Sequence, residues 1–415
     1  MSESQRFLGE HVELTRRFFL SCGAGWAAAC ALPALGAELP AELTDAVKKI
    51  EPYFTPPREF RDVSRGKPIP HTLPEEKKWE VGLTRDTWTL QVVSDPDHPA
   101  TLGRQLTKKD GTAIDFEALL QMGQTRAVRF AKVMTCLNIG CPLGMGVWEG
   151  VPLRDIVWLT RPKENLRRVF YHGYHNDDPK QLFRSSLPVG RVLEDPDDLP
   201  PVIVCYKLNG QWLDSERGGP VRVVVPEAYG FKSIKWLTRI VLTNLAHAND
   251  SYADGNNDID SPLKTFAATL TVPSGAKVNR PIAVTGYAQV GVSGLSKVQV
   301  WVTPNAQSWP ADDPYFTNAP WTNAHILPPP DHWGAVPRDV VPAGTEGFDG
   351  AGRPRSWPMR LCKAHWAALL PGLPAGEYTL RCRTIDGKGA AQPMPRPFRK
   401  SGRCDIEAVP LTVVA

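Results

Sequence analysis

The chain has 415 residues, a length that favours two domains over a single core. Its formal net charge is +4, and its basic residues form no run interleaved with aromatic side chains, which argues against nucleic-acid binding. The 40 prolines and 34 glycines favour short strands and turns over long helices.

The first 37 residues have the pattern of an export signal. Arg16 and Arg17 follow Thr15 and precede an Ala/Gly-rich, weakly hydrophobic segment that ends in small residues at 34–37. This is typical of the bacterial twin-arginine signal, which predicts a periplasmic protein and, because that route carries folded proteins, a cofactor acquired before export. An uncleaved membrane anchor is the alternative, but the apolar stretch is short, so we expect no stable membrane span after cleavage.

The remaining sequence divides into three parts. Residues 38–78 are rich in proline and charge and predict an extended arm. Residues 79–262 mix strand and helix patterns, and the polar stretch 247–261 predicts a linker. From 263 to 415 the hydrophobic period is two residues, as in an antiparallel sandwich, with a loop-rich excursion at 304–360.

Local patterns in the middle part predict individual elements. They are, in chain order, a strand at 87–93, a helix at 115–122 capped by Asp115, a turn and short helix at 147–159, a hairpin at 199–213 that turns at Asn209-Gly210, and two strand segments within 219–244.

Cys136 follows an apolar strand at 127–135 and precedes Asn138 and Gly140, so it stands where a strand ends and a tight loop begins. A thiolate in this position is suited to a soft metal, although residue type alone favours a buried, inert cysteine. The sequence contains no CxxCH for covalent haem and no CxxC pairs for zinc or an iron–sulfur cluster.

Three blocks, in order, resemble the sulfite oxidase family of molybdopterin enzymes. The Cys136 loop leads into "WEGVPLRDI" at 148–156, the second block is "VCYKLNGQWLDSERGGPVRVVVPEAYGFKSIKWLTRI" at 204–240, and the third is "RTIDGKGAAQP" at 383–393. The resemblance spans roughly residues 80–400, and three blocks together with an export signal make it specific.

The resemblance implies an α+β protein. A mixed α/β molybdopterin-binding domain of the sulfite-oxidase type would occupy 79–262, and an all-β immunoglobulin-like sandwich would occupy 263–415, after the signal at 1–37 and the arm at 38–78. Because the second domain of this family commonly mediates dimers, a homodimer is expected.

The resemblance also implies roles for single residues. Cys136 corresponds to the molybdenum ligand, while Arg222, Ser233 and Lys235 correspond to contacts of the pterin cofactor and its phosphate. The alternative for Arg222 and Lys235 is surface salt bridging. Asn138, His172 and Asp177 are further candidate cofactor contacts.

Several residues depart from the family pattern. Arg217 stands where the family often has histidine, and it is expected to bind the phosphate and, together with Arg383 from the second domain, the substrate anion. The early arginine segment of the family has no clean counterpart. Cys141 is an extra thiol with three open interpretations: a buried loop residue, a disulfide partner, or a thiol near the metal.

What the family implies is a periplasmic oxidoreductase with a molybdenum–molybdopterin cofactor. It would transfer an oxygen atom to a small sulfur-containing substrate, sulfite first, and pass electrons to an external c-type cytochrome. One alternative is the same cofactor acting on a sulfane or another sulfur compound. The other is an exported binding protein with a degenerate cofactor domain.

Overall fold

The computed structural model describes residues 39–260 and 262–415, so the predicted export signal lies outside the described residues. Residues Glu42–Ala415 form one compact unit. No helix within the two described ranges is long and apolar enough to cross a membrane.

The described residues contain short α-helices and many strands. The helices are α1 (Thr44–Val47), α2 (Glu75–Glu80), α3 (Phe116–Arg126), α4 (Leu153–Trp158) and α5 (Val189–Leu193). The strands are β1 (Thr89–Ser94), β2 (Ile114–Asp115), β3 (Val128–Thr135), β4 (Pro142–Pro152), β5 (Arg168–Gly173), β6 (Arg184–Pro188), β7 (Ile203–Leu208), β8 (Gln211–Trp212), β9 (Arg222–Val224), β10 (Leu237–Thr243), β11 (Phe266–Thr271), β12 (Ala276–Lys277), β13 (Ile282–Gln289), β14 (Lys297–Pro304), β15 (Thr322–Asn323), β16 (His325–Ile326), β17 (Thr345–Glu346), β18 (Lys363–Leu370), β19 (Gly376–Ile385) and β20 (Glu407–Val414).

Two mixed sheets build the first half of the fold. One has the order β2-β1-β10-β5-β6, with β1 and β10 parallel, and the other has the order β17-β3-β4-β7-β8, with β9 paired to β7. A single apolar core joins them to the helices and includes Leu90, Leu119, Val204 and Ile240. This arrangement of sheets and short helices confirms the predicted α+β class.

The second half is built from strands. Its two sheets have the orders β11-β13-β18-β16 and β12-β20-β19-β14-β15. Val284 and Trp366 from the first of these sheets share one core with Val300, Leu380 and Leu411 from the second. Two sheets that bury a common core form a sandwich, as the period-two pattern predicts.

The local predictions agree with the structure where turn and cap chemistry is specific. The Asp115 side chain accepts a hydrogen bond from the Ala118 amide at 2.8 Å and caps α3. Asn209 and Gly210 take φ values of 52° and 75° in the tight turn between β7 and β8.

Three other expectations differ from the structure. Residues 147–151 do not begin at a turn, because β4 continues to Pro152 as a strand buried along almost its whole length. In the arm, Tyr53, Phe54 and Phe60 are buried in apolar clusters. In the predicted linker, Asp250 is fully buried in an ion pair with Lys232 at 2.8 Å.

Lys132 is an unusual member of β3, because its side chain is completely buried. Its ammonium group donates hydrogen bonds to the carbonyl oxygens of Pro226 and Ala228, at 2.7 and 2.8 Å. Burial lowers the Lys132 pKa from 10.5 to about 7. The chain before Tyr229 is thus held to β3 by a cation whose charge burial disfavours.

We predict that this lysine makes stability depend on pH. Above about pH 7 the folded protein releases the Lys132 proton while the unfolded chain keeps it, so the free energy of unfolding rises with pH. In Lys132→Met this rise disappears. The free energy of unfolding of wild type minus that of the variant should therefore increase by up to about 1.4 kcal/mol per pH unit between pH 7 and 9.

Denaturant unfolding at a series of pH values measures this difference, with Lys297→Met as the control at an exposed position. Parallel stability curves for wild type and Lys132→Met would show that the Lys132 pKa is not displaced.

Candidate active site

A cavity of about 270 Å³ opens beside the end of β3. Its wall is formed by the arm at 60–66, the loop after Cys136, and the segment 230–236 between β9 and β10. Five cationic side chains contribute to the wall: Arg61, Arg65, Arg217, Arg222 and Lys235. Such a density of positive charge favours an anionic ligand.

Arg222, the first residue of β9, is the most constrained of these cations, with 4% of its surface exposed. Its guanidinium donates to the carbonyl oxygens of Arg217 at 2.7 Å and Ser233 at 2.5 Å and lies 5.2 Å from the Trp148 ring centroid. In the part of the chain that the structure describes, its Nε has no hydrogen-bond partner. Burial lowers the Arg222 pKa to about 10.

Arg217 is as deeply buried but has acidic neighbours. Its Nη1 donates to the Phe60 carbonyl oxygen at 3.1 Å, and its guanidinium contacts the carboxylate of Glu216. Its Nε makes no hydrogen bond within the described ranges. Because Glu216 offsets its charge, Arg217 contributes less net positive charge than Arg222.

Lys235 joins the arm to the cavity. Its ammonium group donates to Asp62 Oδ1 at 2.9 Å, to Ser64 Oγ at 2.7 Å and to the Glu216 carbonyl oxygen at 2.7 Å. Burial, together with the neighbouring charge of Arg222, lowers the Lys235 pKa to about 8. Gly218 makes this approach possible, since a Cβ at its position (φ 96°) would lie 2.6 Å from the Lys235 side chain.

Cys136 follows the last residue of β3, and its half-buried thiol lies on the cavity wall. Cys141 lies on a second cavity, of about 150 Å³, where its sulfur accepts a hydrogen bond from Arg61 Nη1 at 3.3 Å. All cysteines in the described ranges are free, so Cys136 and Cys141 are not joined. Of the three interpretations of Cys141, the disulfide is therefore not formed in this structure.

The structure brings six of the predicted site residues to one cavity: Cys136, Asn138, Arg217, Arg222, Ser233 and Lys235. Asn138 lies at the mouth, where its side-chain oxygen accepts a hydrogen bond from the Tyr252 hydroxyl. Ser233 turns its hydroxyl towards the Val225 amide, at 3.1 Å, and so shapes the cavity floor through its backbone.

Three predicted residues lie elsewhere. His172 is in β5 with its Nδ1 3.3 Å from the Gly173 carbonyl oxygen, and burial lowers its pKa to about 4. Asp177 is exposed. Arg383, on β19, donates to Gln299 at 2.9 Å and lies 4.3 Å from the Trp321 ring centroid, so its side chain is directed along its own sheet.

The structure also adds residues that the sequence did not indicate. His175, whose ring centroid is 5.6 Å from that of His172, lines the cavity, and among the described residues its Nδ1 has no hydrogen-bond partner. Arg65 lies 4.5 Å from the Phe183 ring centroid and 5.7 Å from that of Tyr252 at the mouth. The available signal was the charge of the arm, which includes Arg61 and Arg65.

Residues 77–251 match the family model described as the oxidoreductase molybdopterin binding domain. The chain is 28% identical over 202 residues to the mitochondrial sulfite oxidase of Drosophila melanogaster, covering 47% of this chain and 32% of that protein. It is 29% identical over 214 residues to the sulfite oxidase of Gallus gallus, covering 50% and 42%. The match thus spans less than half the length of each relative.

Among solved structures, the sulfane dehydrogenase SoxCD from Paracoccus pantotrophus matches with a TM-score of 0.54 at 16% identity, covering 94% of this chain and 95% of that chain. At this identity the match concerns the fold. The domain match and the sulfite oxidase relatives define an oxidoreductase with a molybdenum–molybdopterin cofactor. Residues 77–251 thus form a molybdopterin-binding oxidoreductase domain, and over this part the chain is similar to sulfite oxidases.

The residues of the cavity fit this cofactor. A phosphate requires buried donors that the protein leaves unused, and Nε of Arg222 and Nε of Arg217 meet that need within the described ranges. Cys136, on the same wall, would supply one soft ligand. No three His, Cys, Asp or Glu side chains of the described residues form a metal site, so the remaining ligands of a metal here would come from the cofactor.

We predict that the charge of Lys235 controls anion affinity. As pH rises through about 8, Lys235 loses its proton, so the affinity of the cofactor-free protein for sulfate should fall. The expected fall is up to about tenfold between pH 7 and 9. Calorimetric titration with sulfate, whose own charge is constant in this range, measures it.

Two variants serve as controls for this titration. Lys235→Arg should keep the affinity constant across the same pH range, because arginine remains charged. Lys77→Met, on α2, should behave as wild type, because Lys77 is not part of the cavity wall. If Lys235→Met showed the same fall in sulfate affinity with pH as wild type, Lys235 would not be the group that causes it.

Proposed function

We propose that this protein is an exported, periplasmic molybdenum oxidoreductase that oxidises a sulfur compound and passes the electrons to an external c-type cytochrome. The observation that carries the proposal is the meeting of the Cys136 thiol with the uncompensated cation Arg222 on one cavity wall. The family match supports the cofactor, and the sulfite oxidase relatives support a sulfur substrate.

When bound, the cofactor supplies oxygen-atom transfer and two-electron redox chemistry. The net reaction joins a sulfur lone pair to the oxygen of water and releases two protons and two electrons. In our proposal Cys136 holds the metal end of the cofactor, while Arg222, Arg217 and Lys235 hold its phosphate by charge-assisted hydrogen bonds.

The arm then supplies the cations nearest the entrance. Arg61 and Arg65 lie on the cavity wall, and Arg65 is steadied by the faces of Phe183 and Tyr252. These two arginines would attract and orient an anionic substrate such as sulfite. In our proposal they take the substrate-binding role predicted for Arg383, whose side chain packs on Trp321.

A second candidate substrate is a sulfane or another sulfur group attached to an organic carrier. The mouth carries exposed apolar side chains, including Val63 with 40% and Ile139 with 47% of their surface exposed. A free sulfite dianion gains nothing from these groups, whereas an organic carrier would bury them. The solved structure with the same fold is a sulfane dehydrogenase, which makes this candidate worth a direct assay.

We predict that Cys136→Ser abolishes turnover while the protein remains folded. The rate of sulfur-compound oxidation should fall at least about 100-fold, because losing a metal ligand costs more than losing a group that orients one. Cys141→Ser, which removes the other thiol of the same loop, is the matched control and should keep most of the activity. Wild-type turnover in Cys136→Ser would refute the ligand assignment.

Metal and pterin analysis of the exported protein distinguishes the enzyme from a binding protein. The proposal requires about one molybdenum and one pterin per chain. Protein without either, exported from a host that makes the cofactor, would favour the binding protein. Reduction of cytochrome c with sulfite as donor, compared with a thiol-bound sulfane donor, then separates the two substrates.

A further inference from the structure

The end of β3, next to Cys136, is hydrogen-bonded to the second half of the fold. Thr135 is fully buried, and its hydroxyl donates to Gln289 Oε1 at 2.5 Å. Gln289, the last residue of β13, is fully buried too, and its Nε2 donates to the Lys264 carbonyl oxygen at 2.7 Å. Both ends of this amide are therefore satisfied.

Packing alone does not explain why a polar contact is buried here, because burying it costs desolvation free energy. A buried amide requires hydrogen bonds to offset its desolvation, and an apolar side chain of the same size would fill the space without that requirement. What the Thr135–Gln289 bond adds is direction, because it holds the Thr135 hydroxyl in one orientation.

The orientation of Thr135 constrains the orientation of the next residue, Cys136. Thr135, the last residue of β3, bonds to Gln289 of the sandwich, while Cys136, the next residue, lines the cavity. The strand is fixed further back as well, since the Val133 amide donates to the Leu361 carbonyl oxygen at 2.8 Å. A rotation of the strand end that moves the Cys136 thiol would therefore break the bond to Gln289.

The loop beyond Cys136 is held on its far side by a different segment. Gly140 has a φ of 58° and lies so close to Arg403 that a Cβ at its position would be 2.3 Å from the Arg403 Cβ. The loop is thus contacted at its start by Gln289, through Thr135, and at its end by Arg403, at Gly140. Of the two, Gln289 acts on the residue adjacent to the thiol.

We propose that Gln289 is a positioning residue for the Cys136 thiol and acts through Thr135. The proposal rests on the proposed function in one respect, that Cys136 is the metal ligand. It assigns the second half of the fold a part in the geometry of the metal site, which the cavity wall does not reveal because Gln289 does not touch it.

Four variants test the proposal. Gln289→Met keeps the volume and removes both hydrogen bonds, and Thr135→Val keeps the shape and removes the donor. Thr135→Ser restores the hydroxyl. Gln299→Met is the matched control, because Gln299 is also a hydrogen-bonded glutamine of the sandwich, but its partners are Arg383 and Asn323.

The first measurement uses the loaded protein. In Gln289→Met and Thr135→Val the electron paramagnetic resonance spectrum of the partly reduced protein should shift, and kcat should fall about tenfold while KM stays within about twofold. Thr135→Ser and Gln299→Met should match wild type. The double variant should be no worse than either single one, because both remove the same bond.

The second measurement needs no cofactor. Alkylation of Cys136 by iodoacetamide in the cofactor-free protein should change in rate by at least about threefold in Gln289→Met, with Cys141 as the internal reference. Unchanged alkylation and an unchanged spectrum, together with a lowered melting temperature, would show that Gln289 only supports the core and would overturn the proposal. If wild type binds no molybdenum, the proposed function fails, and the alkylation rates still decide whether Gln289 positions the thiol.

Discussion

The structure depends on a buried positive charge that the protein does not neutralise. Arg222 makes two hydrogen bonds to backbone carbonyl oxygens and faces Trp148, and in the part of the chain that is described it has no carboxylate partner. An unpaired buried charge is costly for a fold. β9, the turn at Gly218 and the close approach of Lys235 place cations around one cavity, and in our proposal an anion bound there offsets this cost.

The same space joins the two halves of the molecule. β3 pairs with β4 of the first half and with β17, from later in the chain, and its end is hydrogen-bonded to Leu361 and Gln289 from the second half. Within residues 42–415, therefore, the sandwich supports the cavity as well as its own core. A change in the sandwich that leaves its core intact can still displace the thiol.

Local rules were sufficient for elements whose residues differ in exposure or have special turn chemistry. The cap at Asp115 and the turn at Asn209-Gly210 are examples. Strands buried on both faces lack the alternation that identifies a strand, so the part of β4 from residue 147 was predicted as a turn leading into a helix, and β18, "KAHWAALL", was not predicted at all.

Some residues of the site could likewise be predicted from the sequence, and others could not. Cys136, Arg222 and Lys235 lie in or next to short blocks that resemble the family pattern, so they could be predicted together. The arm could not, because Lys235 and Asp62 are 173 residues apart and meet only in the folded chain. Arg383 shows the limit of reasoning by position, since its orientation is decided by Trp321, a residue outside the matching block.

The arm gives the cavity a thermodynamic property of its own. Arg217 holds the Phe60 carbonyl oxygen and Lys235 holds Asp62 and Ser64, while both cations also face the cavity. Two occupants that share the same cations are coupled, and coupling between binding equilibria is reciprocal. Whatever factor the docked arm adds to the affinity for the anion, the bound anion adds to the docking of the arm. The affinity for the anion and the degree of order in residues 60–66 then both report the same coupling free energy.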